Sequence, residues 1–247
     1  MLVYHGTPCG GVRDHVPNFL RNRHALIPFP RPEDLATALD VCQSVIADNG
    51  AFTAWKAGKP VQDWQPYYDW LETFYRHPAF HWAIIPDVID GTEKENDDLL
   101  DEWPGHIEAA PVWHLHESLS RLERLIAWPR ICLGSSGDFK TPGSLRWSKR
   151  MDVAMRVICD SDGVPKTRLH GLRMASKKLI CKYPFASVDS TNAVRNSRQN
   201  DRFGYYPAPV RAQNAAQIAF GMEYAQTTGR YSLLLNDKEL WGDDGLH

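Results

Sequence analysis

The chain lacks any run of about 18 consecutive apolar residues, which argues against a membrane-spanning helix. Its opening residues, MLVYHGTP, have neither the basic stretch nor the long apolar core of a signal peptide, so a cytoplasmic location is expected (the host cytoplasm if the chain is phage-encoded). Cysteine is sparse. The five present (Cys9, Cys42, Cys132, Cys159 and Cys181) are odd in number and form no CxxC pair, against both a disulfide framework and a cysteine zinc site. There is no internal repeat, low-complexity tract or linker, so residues 1–247 read as one domain: a barrel over about 1–191 and a basic extension over about 192–247.

What is present is a globular composition, 43% hydrophobic and 23% charged. Eight short apolar runs alternate with amphipathic stretches: Leu2–His5, Ala25–Phe29, Ser44–Ala47, His81–Pro86, Pro111–His116, Arg130–Gly134, Thr167–Leu172 and Phe185–Val188. Helix-like segments lie between them at Pro32–Val41, Gln62–Arg76, Thr92–Trp103, Leu119–Trp128, Leu145–Cys159 and Met174–Lys182. Acids follow Pro32 at the start of one helix, and Thr92 followed by Glu95 fits a capping box. The alternation predicts an α/β fold, a (β/α)8 TIM-type barrel, with a short C-terminal helical appendage over about Ala212–Gln226.

Charge is unevenly spread. From Lys166 to Arg211 ten basic residues face only Asp189 and Asp201, a net of +8, whereas Asp87–Glu102 holds eight acids against Lys94. The first suggests a face for a polyanion; the second reads as the solvated side of a helix.

Barrel active sites form at the C-terminal ends of strands. The residues expected there are polar: His5-Gly6-Thr7, Asp48-Asn49-Gly50, Asp87, His114 and His116-Glu117, Gly134-Ser135-Ser136-Gly137, His170-Gly171 and Asp189-Ser190-Thr191. Any one Asp or Ser could cap a helix, but so many together point to chemistry. Two carboxylates on one cavity suit cleavage of a glycosidic bond, one as nucleophile and one as proton carrier. Gly50 and the GSSG glycines would let backbone approach a flat ligand. Trp64, Tyr67, Trp70, Leu71 and Phe74, at helical spacing, read as core. His15, His24, His77 and His106 read as surface. His114 and His116 alternate along a strand, which leaves open a metal-dependent hydrolase with both on one ion. An ordinary sugar glycosidase and an inactive nucleic-acid-binding barrel also stay open.

Four segments resemble the tRNA-guanine transglycosylase superfamily. DNGAF (Asp48–Phe52) resembles its D-S-G-G-F motif, and IIPDV its strand ending in a base-reading aspartate. ICLGSSG resembles its base-binding loop, and ASVDSTNAVRN the strand of its nucleophilic aspartate with the arginine-rich stretch beyond. The likeness covers roughly residues 44–196. The C-terminal zinc subdomain of the tRNA enzymes has no counterpart in the cysteine pattern. That is similar to the phage-type 7-deazaguanine DNA transglycosylases.

The resemblance implies that DNA guanine, with tRNA as the alternative substrate, is exchanged for a 7-deazaguanine such as preQ0 without cofactor or metal. Asp189 would be the nucleophile and Asp48 the general acid/base. Asp87, His114 or His116, Gly134, Ser135 and His170 would surround the base, with Phe52 stacking on it. Arg195, Arg198, Arg202, Lys177 and Lys178 would hold nucleic-acid phosphates. Neither a membrane partner nor a particular oligomeric state is implied.

Overall fold

Each expected apolar run becomes a strand, and the strands stand side by side because both of their faces must be buried. The computed structural model describes residues 1–9 and 16–191. Nine named strands run parallel: β1 (Leu2–Gly6), β2 (His24–Pro28), β3 (Ser44–Asp48), β4 (Phe80–Ile84), β5 (Ala109–Ala110), β6 (Val112–His114), β7 (Arg130–Gly134), β8 (Arg168–Gly171) and β9 (Ser187–Ser190). Their order is β5-β4-β3-β2-β1-β9-β8-β7-β6. The two edge strands are halves of one stave, parted at Pro111, which has no N–H for a ladder. The Ile85 N–H donates to the Ala110 carbonyl (3.0 Å) and the Cys132 N–H to the Pro111 carbonyl (2.8 Å), so this stave joins the two sheet edges. The result is a nearly closed TIM-type barrel of eight staves.

Helices fill the connections: α1 (Val16–Leu20), α2 (Leu35–Val41), α3 (Ala51–Lys56), α4 (Gln65–Glu72), α5 (Glu93–Asp101), α6 (Leu119–Leu125), α7 (Leu145–Ile158) and α8 (Lys177–Lys182). The Thr92–Glu95 capping box forms at the start of α5. At α2 the expectation fails: Glu33 and Asp34 precede the helix, and the buried Asp34 carboxylate accepts from the Cys9 N–H (2.6 Å) instead of capping. The short helices α1 and α3 were not expected. The appendage and the whole of residues 192–247 lie outside the described residues.

Core residues divide as alternation along a strand requires. Tyr4, Leu26, Ile46, Trp82, Val112 and Cys132 fill the barrel interior. Outward-facing Ile131, Leu133 and Leu169 meet Trp147, Met151, Ala154, Met155 and Ile158 along one side of α7. Trp64, Tyr67, Leu71 and Phe74 are buried, as their spacing implied. Between β3 and β4 the register shifts, with Val45 opposite Phe80 and Ile46 opposite Trp82. His81 is the extra residue of this bulge, and a bulge re-aims the side chain it carries.

Candidate active site

The C-terminal ends of the staves open into a cavity of about 770 Å³. Of the residues singled out from sequence, Asp48, Asp87, Asp189, Phe52, His114, Gly134 and Ser135 line it. His116 and His170 do not.

Asp48 ends β3 and accepts a hydrogen bond from the Gly50 N–H (3.1 Å). It opens partly onto the cavity, with protein on its other sides. Burial, the largest cause, pushes its pKa up to about 7; Asp189 and Asp87 add to the rise, while the Gly50 N–H and Arg173 oppose it. Gly50 itself is left-handed (φ 79°), and a Cβ there would meet the Pro30 ring at 2.4 Å. The glycine is needed for the turn against Pro30, not for the approach of a flat ligand as expected from sequence.

Asn49 is the support that sequence reasoning passed over. Its side-chain amide donates to the Ile85 carbonyl (2.9 Å) and to Asp87 Oδ1 (2.8 Å), while its own oxygen accepts from the Ala51 N–H (2.8 Å). Asp87 Oδ2 lies 2.8 Å from His114 Nε2. The Asp87 carboxylate is therefore fixed from both sides, with lone pairs on each oxygen left for a ligand. The His114 ring leans over Gly134, where a Cβ would stand 2.8 Å from Nδ1, so only glycine admits it. Buried His114 Nδ1 has no hydrogen-bond partner among the described residues.

Asp189, on β9, is 4% exposed and accepts from the Arg173 N–H (2.7 Å). His170 is fully buried, with Nε2 3.5 Å from Asp189 Oδ1 and Nδ1 2.8 Å from Ser187 Oγ. It thus backs the carboxylate and does not face a ligand. Ser135 Oγ accepts from Trp147 Nε1 (2.9 Å). Arg173, also missed, holds a left-handed backbone (φ 57°) and lays its guanidinium 3.5 Å over the Phe52 ring. A non-glycine residue in that region often marks a functional constraint.

The shared face expected of His114 and His116 does not form. Strand β6 ends at His114, and alternation ends with it. His116 is exposed in the following turn and pairs with Ser136 (2.6 Å); the two rings merely stack, 5.7 Å apart. No cluster of three or more His, Cys, Asp or Glu suited to a metal ion occurs among the described residues. His24 is likewise not a surface residue: it starts β2, with its ring 5.6 Å from Tyr4. Lys177 and Lys178 open α8, and Lys178 is exposed. Arg195, Arg198 and Arg202 lie outside the described residues. No described helix is long and apolar enough to cross a membrane.

No protein-family model matches the chain, and no curated protein matches it. Among solved structures, a chain from Aquifex aeolicus VF5, described as "Structural study of Project ID", is similar at 12% identity and a TM-score of 0.41, over 85% of this chain and 92% of that one. So loose a likeness carries no argument; the barrel rests on its own strand order.

Proposed function

We propose that the protein is a base-exchange transglycosylase that replaces guanine in DNA with a 7-deazaguanine such as preQ0. One observation carries the reading: Asp48 and Asp189 face a single cavity, and the surroundings of Asp48 keep its proton to about pH 7. A carboxyl poised near neutrality suits general acid/base work. The cavity is also within the range of small-molecule sites, about 300–1,000 Å³.

In this mechanism Asp189 attacks C1′ of the target deoxyguanosine, and the C1′–N9 bond breaks as an Asp–sugar ester forms. Asp48 gives its proton to the departing guanine. The incoming 7-deazaguanine then surrenders its N9 proton to Asp48 and attacks C1′, releasing Asp189. Protons and bonds balance over the cycle, and stereochemistry is retained. Asp87, already oriented by Asn49 and His114, accepts from the amine and ring N–H of the base. Stacking on Phe52 requires the base to displace the Arg173 guanidinium or to use the ring's other face. The target base leaves the duplex to enter.

The test is incubation with preQ0 and either duplex DNA or tRNA, followed by nucleoside mass spectrometry. Incorporation into DNA is expected; incorporation into tRNA alone would move the reading to the tRNA-directed family. Asp189→Asn and Asp48→Asn should each abolish exchange, and kcat/KM should fall as pH rises through about 7, where Asp48 loses its proton. Exchange by Asp189→Asn at the wild-type rate would overturn the nucleophile.

A further inference from the structure

At the other end of the barrel, polar side chains from separate staves cross the interior. His24 Nδ1 lies 2.9 Å from Ser44 Oγ, which lies 3.3 Å from the Tyr4 hydroxyl; that hydroxyl is 2.6 Å from His81 Nδ1. Arg130 Nη2 points at His81 Nε2 from 3.5 Å. The bulge in β4 brings His81 into this group beside the inward-facing Trp82. Arg168, the register partner of Arg130 on β8, adds a second guanidinium.

Arg130 is the unusual member. It is 9% exposed and forms no ion pair with a carboxylate among the described residues; its guanidinium rests 4.8 Å over the Trp82 ring. Stacking on an indole offsets part of the cost of desolvating a cation. Proteins ordinarily meet the rest with a counter-charge. Here Glu108 acts on Arg130 only weakly, after burial, Tyr4, Cys132 and Arg168.

We propose that this N-terminal mouth of the barrel is a second binding site, for an oxyanion of the phosphate class, held by Arg130 and Arg168 beside His81. The site is separate from the base-exchange cavity and does not depend on that activity. Arg168 also lines an open groove of about 630 Å³ with Lys166, between Pro129, Pro165 and Pro184, which gives room for the organic part of a phosphomonoester. Burial first, then the charges of Arg130, Arg168 and His24, push the His81 pKa down to about 4. An anion among these groups offsets the repulsion between the charges of Arg130 and Arg168. Tyr4 stays neutral, because burial raises its pKa.

Calorimetric titration of the full chain with inorganic phosphate, and separately with a nucleoside 5′-monophosphate, tests the site. Phosphate should bind, and added salt should weaken it, as for an ion held by charge. Arg130→Gln and the exposed Arg168→Gln should each weaken binding on the order of tenfold, the loss expected for one charge-assisted hydrogen bond. Arg168→Gln keeps the test decisive if Arg130→Gln fails to fold. Tighter binding of the monophosphate assigns the groove to its organic part, and equal binding assigns the site to free phosphate. No phosphate binding, binding unchanged in Arg168→Gln, or binding lost in Arg173→Gln at the opposite mouth would overturn the proposal.

Discussion

A carboxyl that keeps its proton to about pH 7 in the fold destabilises that fold once the proton is lost. In the unfolded chain Asp48 ionises near pH 3.9, roughly the value of a free aspartate. Between that pH and about 7 the folded state binds the extra proton, so the favourable contribution is full below pH ~4 and disappears as pH rises through about 7. Asp48→Asn removes the buried charge without changing the shape of the side chain. Urea denaturation should find the variant similar to wild type at pH 4 and more stable at pH 8, by on the order of 2 kcal/mol. The full shift would give more, but cavity water screens part of it. Identical pH dependence in the two proteins would show that Asp48 titrates normally. Loss of exchange together with gained stability would mark a residue kept for chemistry.

At the scale of elements, the candidate site depends on a buried charge cluster behind it. Glu117 Oε2 accepts from the His114 N–H (2.9 Å) and from Arg121 Nη1 (2.7 Å), and its Oε1 accepts from Asn96 Nδ2 (2.9 Å). Asn96 also caps the Val88 N–H (2.7 Å), one residue after Asp87. This cluster ties α5 and α6 to the ends of two staves. Arg121→Met leaves the Glu117 carboxylate buried without its cation and should cost about 3–5 kcal/mol in chemical denaturation. Adding Glu117→Met should recover much of that loss; simple additivity would show that the two residues are independent. The i,i+4 spacing of Glu117 and Arg121 was visible in the sequence, yet its burial was not. The staves were legible because each is a short apolar run with turn residues after it. Helices α1 and α3 were not: five and six residues are too few for a periodic pattern, and tertiary contacts hold them. The same division applies to the site. Asp48, Asp87, Asp189 and His114 follow from position at strand ends. Asn49 acts on Asp87 across 38 residues of sequence, and Arg173 acts on Phe52 through space, so neither role has a local signal. His116 was misplaced because alternation was carried past the end of β6.

Across the whole molecule, charge is unevenly arranged. The acids of α5 divide: Glu95 and Asp98 are exposed, whereas Asp97 pairs with Arg121 and Arg124 (2.8 and 2.6 Å). Lys56 and Arg173 supply cations at the cavity. Three more of the basic residues lie in sequence just beyond Asp189, at Arg195, Arg198 and Arg202. A reaction on a nucleic-acid base needs the backbone anchored on either side of the extruded nucleotide, and phosphate contacts supply that anchoring without reading sequence. Each arginine that neutralises a phosphate releases condensed counterions, so binding falls with salt by a slope of about 0.9 per contact on duplex DNA. Equilibrium binding of duplex DNA between roughly 50 and 200 mM salt should therefore be steeply salt-dependent. Replacing the three arginines with glutamine should flatten the log–log slope by up to about 3. The weakening should be similar for DNAs of different sequence, since the lost contacts carry no base information. A slope unchanged by the triple substitution would place the phosphate contacts elsewhere on the molecule. A loss confined to one DNA sequence would make these arginines readers of bases instead of anchors for the backbone.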